Sequence, residues 1–148
     1  SARLFTEIRE KRGLCYSVYA SYEGQRERGA MLCYAGTSTE RAQETLDVML
    51  AELNRLAAGG VELEELDTMR AGLKSSLIMA QESSMSRSSA LASDWYFLNR
   101  VRPLAEISAA LDALTPESVS DYARRLLILD DLTVLTLGPN RLEVKLPA

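Results

Sequence analysis

A chain of 148 residues with 47% hydrophobic and 26% charged residues has the composition of an ordinary globular domain. Its 17 basic and 21 acidic residues leave a net charge of −4 with no basic run, which argues against nucleic acid as a partner. No apolar stretch approaches the roughly 20 residues that a helix needs to cross a bilayer, so no membrane partner is expected.

The first predicted element is a helix over residues 2–11, with Leu4, Phe5 and Ile8 on one apolar face and Arg9 at its edge. The helix breaks at Gly13, and from Leu14 the apolar period shortens from 3.6 to 2. In the strand 14–22, one face is expected to carry Leu14, Tyr16, Val18 and Ala20, and the other Cys15, Ser17, Tyr19 and Ser21. A polar turn over 23–28 leads to a second strand, 29–35, and the pair predicts an antiparallel hairpin. A turn centred on residues 25 and 26 sets Cys15 opposite Gly36 and Cys33 opposite Val18, too far apart for a disulfide. Two free thiols suit a reducing compartment, so a cytoplasmic location is expected, with the periplasm as the alternative.

Thr37 and Glu40 stand three apart before a helical pattern, the spacing of a capping box. Leu46, Met49, Leu50, Leu53 and Leu56 give that helix its stripe, and Gly59-Gly60 closes it. A longer helical tract opens at Glu62, with Leu66, Met69, Leu73, Leu77 and Ala80 on its buried side. The serine-rich run 82–89 holds poor helix formers and marks a helix junction, because Leu91, Trp95 and Leu98 resume the period. Pro103 opens a helix to Leu111, and Thr115-Pro116-Glu117 opens the last one, which passes Tyr122 and ends at Leu127. After Asp130-Asp131, residues 132–137 form a predicted buried strand stopped by Gly138-Pro139. Hairpin, helices and final strand together predict an α+β fold: one domain over 1–148, an antiparallel sheet with helices packed on one face.

The chain has no histidine, which removes the usual catalytic zinc ligands and the Ser-His and Cys-His nucleophile arrangements. Lys74 and Ser75 are sequence neighbours on a predicted helix and do not face each other. Arg9 and Tyr16, a guanidinium and a phenol either side of the helix–strand junction, remain as the candidate site. Tyr16 offers an O–H donor and Arg9 a permanently charged fork. A solvated surface arginine and a half-buried strand tyrosine are the structural alternative.

Ser1-Ala2-Arg3-Leu4-Phe5, Ile8-Arg9-Glu10-Lys11-Arg12-Gly13-Leu14 and Tyr16-Ser17-Val18 resemble the second, non-zinc half of the pitrilysin/insulinase-type zinc metallopeptidases. The mitochondrial processing peptidase belongs to that group. Further similarities follow in order: Tyr34-Ala35-Gly36-Thr37, Gly60-Val61, Glu64-Glu65-Leu66, Leu73-Lys74, Ser76-Leu77, Glu82-Ser83, Ser86-Arg87, Thr115-Pro116-Glu117 and Leu137-Gly138-Pro139. Against the family pattern, the strand, helix and glycine-rich turn before this stretch are missing, and so is the zinc-binding half. The expectation is a piece of a longer protein, truncated at the N-terminal end of a LuxS/processing-peptidase-like half-domain.

The resemblance implies that Arg9 and Tyr16 reach into an active site completed on another half or subunit, clamping the substrate and its transition state. It implies a polypeptide substrate, a zinc-bearing half or subunit as partner, and zinc held there. This chain is expected to hold no metal or cofactor and to be inactive alone. A non-catalytic scaffold or peptide-binding subunit descended from such a peptidase, like the core subunits of a respiratory complex, is the alternative. A sheet edge left open by the missing elements suits a third reading, a strand-binding module, and self-association of the isolated piece.

Overall fold

The structure, a computed structural model, describes residues 3–127 and 131–145. It divides into two compact units, one drawn from residues 1–24, 29–60 and 122–148 and the other from 25–28 and 61–121.

The first unit begins with a wide helical turn, Phe5–Glu10, in which the Lys11 amide reaches back five residues to the Thr6 carbonyl at 2.9 Å. Such widened turns are rare and short, and they recur at functional sites. Leu4 and Ile8 bury the apolar face that the spacing predicts. Gly13 ends the turn in the left-handed region at φ +61°. Its amide bonds the Arg9 carbonyl at 3.0 Å, and the Leu14 amide bonds the Ile8 carbonyl at 2.9 Å. This is the nested closure of a glycine-capped helix, each bond one residue wider than usual.

Strand β1 (Cys15–Gly24) pairs antiparallel with β2 (Gly29–Thr37) in a two-stranded sheet. The hairpin is as expected, but its register is not. Val18 faces Ala35 and Cys33 faces Ala20, because the turn centres between residues 26 and 27. Cys15 pairs with Thr37 and Ser17 with Gly36, so Tyr16 is the extra residue of a β-bulge. The bulge also overturns the simple alternation: Leu14, Cys15 and Val18 are buried while Tyr16 and Ser17 are exposed. Cys15 and Cys33 are both free thiols.

A short turn, Thr39–Arg41, leads into α1 (Ala42–Ala57), which buries Met49, Leu50 and Leu53. Met49 and Leu53 join Leu4, Ile8, Leu14, Cys15 and Val18 in one core, flanked by Met31, Cys33 and Ala35. The helix therefore covers one face of the hairpin. On the opposite face Tyr19 and Tyr34, directly paired, stack with ring centroids 5.2 Å apart. Gly59 and Gly60 close α1: Gly59 N donates to Leu56 O and Gly60 N to Arg55 O, each at 3.2 Å, with Gly59 at φ +96°.

In the second unit α2 (Leu63–Ala80), α3 (Ser84–Leu98) and α4 (Leu104–Asp112) follow the predicted order, and the serine run is a junction as expected. Ser83 caps α3 by accepting from the Ser86 amide at 3.2 Å, and Asn99 closes it at φ +53°. Arg70 of α2 donates to the Leu111 and Leu114 carbonyls at 3.0 and 2.7 Å, satisfying the end of α4. Contrary to the expected buried side, Met69, Leu73, Leu91, Trp95 and Leu98 are exposed. Among the described residues of this unit no further layer covers them. Helix α5 (Pro116–Leu126) starts with Thr115 and Ser118 capping each other reciprocally, amide to hydroxyl, at 3.0 and 3.2 Å.

The predicted final strand is not formed. Residues 132–137 join no ladder among the described residues, and Leu135 and Leu137 are fully exposed. A buried strand needs a neighbour for its backbone and a layer for its side chains, and the described residues supply neither to this segment. Asp130 lies outside the described residues.

Candidate functional site

Tyr16 occupies the bulge of β1, and its side chain is 73% exposed. An extra residue in one strand turns the side chain out of the pleat, which explains how an aromatic flanked by the core residue Cys15 reaches solvent. Tyr16 is one of the residues lining a groove of about 470 Å³, with Gly13, Leu14, Cys15, Ser38, Glu40 and Arg41.

Arg9 is exposed on the wide turn, with its guanidinium carbon 5.0 Å from the centre of the Phe5 ring. It does not line the groove, so the structure does not bring the two candidates into one pocket. Both adjoin Cys15. Burial raises the Cys15 thiol above its ordinary range, and the nearby Arg9 charge partly opposes that shift. Burial likewise raises Cys33.

Lys11 and Arg12 both engage Glu7. Lys11 Nζ lies 2.5 Å from Glu7 Oε1, and Arg12 Nη1 lies 2.8 Å from Oε2 and 2.7 Å from the Glu7 carbonyl. These donors hold the Glu7 carboxyl down to about 2. The clasp ties both ends of the turn that carries Arg9.

The capping box expected of Thr37 and Glu40 is absent. Thr37 donates its hydroxyl to the Leu14 carbonyl at 2.5 Å, while Glu40 accepts from its own amide and from Ser38 and is thereby held below the usual carboxylate range. Arg41 donates to the Gly13 carbonyl. Thr45, buried in α1, lies 2.8 Å from the Arg41 carbonyl and 3.2 Å from the Thr37 hydroxyl. Thr37, Arg41 and Thr45 thus surround the backbone entering the bulge, and sequence reasoning missed all three. The signal available for Thr37 was its capping-box spacing, which pointed to a different partner.

The donor set does not fit zinc. The chain has no histidine, and among the described residues no three His, Cys, Asp or Glu side chains converge. Residues 1–73 match the family model described as the Peptidase M16 inactive domain. Over those residues the chain is similar to that inactive domain. An uncharacterized zinc protease, YmxG of Bacillus subtilis, is 30% identical to it over 140 residues, 95% of this chain and 34% of the relative. An uncharacterized zinc protease of Mycobacterium tuberculosis is 31% identical over 147 residues, 99% of this chain and 33% of the relative. The chain therefore spans about a third of the length of these curated relatives. A crystal structure of a protease from Helicobacter pylori shares this chain's fold, with a TM-score of 0.73 and 20% identity, covering 84% of this chain and 30% of that one. The α+β architecture expected from the sequence is present, with a sheet of two antiparallel strands among the described residues, and the Helicobacter pylori protease shares that fold.

Proposed function

We propose that this chain is the metal-free part of a zinc-dependent endopeptidase, and that it supplies Tyr16 and Arg9 to a site completed on another half or subunit. The observation that carries the reading is the bulge, which presents an exposed phenol from a backbone anchored just ahead of it. Cleavage of a peptide bond builds negative charge on the carbonyl oxygen, and a donor already aimed there stabilises the transition state more than the ground state. Tyr16 is the candidate for that donor. Arg9, a fixed cation on the adjoining turn, suits substrate carbonyls or carboxylates. Zinc belongs to the partner half in this reading, in keeping with the zinc proteases that the chain resembles. The open edges of the hairpin make self-association of the isolated chain a further expectation, read by sedimentation at several concentrations.

Hydrolysis of an unstructured peptide by this chain, by the zinc-bearing half and by their mixture tests the reading. The expected result is cleavage by the mixture only. Chelator-sensitive cleavage by this chain alone contradicts it. A mixture that forms a complex and still fails to cleave favours the non-catalytic scaffold.

A further inference from the structure

The Tyr16 hydroxyl makes no hydrogen bond among the described residues, so what the rest of the chain fixes is the backbone from which the ring leaves the strand. That backbone is anchored just ahead of the bulge. Gly13 and Leu14 present successive carbonyls, which accept from Arg41 of the turn before α1 and from Thr37 at the end of β2. Arg41 holds the Gly13 carbonyl from one side, and Thr37 holds the Leu14 carbonyl at 2.5 Å from the other. A hydroxyl has one proton to give. The nearest acceptor of the Thr45 hydroxyl is the Arg41 carbonyl at 2.8 Å, and its longer 3.3 Å approach to the Leu14 carbonyl leaves Thr37 as the principal donor there. Thr45 is 3% exposed and backs the pair from α1.

We propose that Thr37 and Arg41 are positioning residues for Tyr16: they fix the bulge and so the place beside the groove from which its ring leaves the strand. The proposal rests on the reading of Tyr16 as a substrate-side donor, and displacement of such a group by about 1 Å is enough to cost on the order of 10²-fold in rate. A purely stabilising role would make the same contacts, so the two are separated by whether the effect passes through Tyr16.

The test uses the full-length parent enzyme with Thr37→Val, Thr37→Ser and Arg41→Met, each made with Tyr16 intact and with Tyr16→Phe. Zinc content is confirmed equal, and kcat and KM are measured on one peptide. The Tyr16 ring-carbon resonance is followed in tyrosine-labelled protein, assigned by its loss in Tyr16→Phe. Thr37→Val is expected to lower kcat about tenfold with KM within about twofold, and Thr37→Ser to restore it. In the Tyr16→Phe background the same change is expected to cost less than about twofold. The Tyr16 resonance moves in Thr37→Val and returns in Thr37→Ser. Arg41→Met reaches the same backbone through the neighbouring carbonyl and shows the same dependence on Tyr16 should Thr37→Val fold poorly. Equal losses in both backgrounds, or an unmoved resonance, overturn the proposal. A moved resonance with Tyr16→Phe fully active upholds the anchoring and overturns the role assigned to Tyr16.

Discussion

Gly13 holds the wide turn and the bulged strand together, and its contribution separates cleanly into conformation and space. Its φ of +61° lies where only glycine is at ease, while an added Cβ would come no nearer than 4.0 Å, to Arg41 Nη1. Gly13→Ala is therefore expected to cost about 1–2 kcal/mol from backbone strain alone. Urea denaturation should show a lower midpoint with an unchanged slope, and Gly13→Asn should lose less. Beside it, Glu7 gives the same turn a dependence on pH. Its folded value, about 2, lies below its ordinary 4.5, chiefly through the hydrogen bond from Lys11 and then that from Arg12. A depressed carboxyl stabilises the fold above its ordinary value and loses that contribution as pH falls through the folded one. The difference in Tm between wild type and Glu7→Gln should be full at pH 6 and close between about 4.5 and about 2. A difference that stays constant over that range contradicts the clasp.

Local signals transferred well at the scale of elements. The Gly59-Gly60 closure, the Thr115-Pro116 helix start and the serine-rich junction all depend on residues within a few positions of one another, and all three stand in the structure. The α3–α4 connection adds a pairing that the sequence pattern did not single out. Asp94 accepts from the Arg102 amide at 2.8 Å and from its guanidinium at 2.6 and 3.1 Å, and these bonds hold its carboxyl below the ordinary range. Asp94→Asn keeps the shape but gives up the charge on a hydrogen-bonded carboxylate, so it is expected to lower Tm at neutral pH. Thermal unfolding reads that change, and an unaltered Tm contradicts it. What the pattern missed in the hairpin was non-local. A period of 2 carries no mark of an inserted residue, so the bulge at Tyr16 and the register that goes with it were invisible. Thr37 shows the same limit, since its hydroxyl serves a carbonyl 23 residues away instead of the amide three residues on.

For the molecule as a whole, the fold class, the hairpin and the order of the helices were legible because apolar periodicity records them directly. The site was legible as a pair of residues but not as a geometry. Tyr16 lines a groove, Arg9 stands over Phe5 outside it, and the side chains that anchor the bulge come from a connection read as a helix cap. The unpaired 132–137 segment and the exposed stripe of α2 and α3 fail for one reason: periodicity states that a face is apolar, not what covers it. The most direct test of the central claim is peptide hydrolysis by the full-length parent carrying Tyr16→Phe or Arg9→Ala, with zinc content and folding shown to match wild type. The account predicts a fall in kcat/KM on the order of 10²–10³ for Tyr16→Phe, the usual loss for one transition-state donor, and a smaller fall for Arg9→Ala carried mainly by KM. Full activity in both variants would contradict it and leave Tyr16 and Arg9 as scaffold.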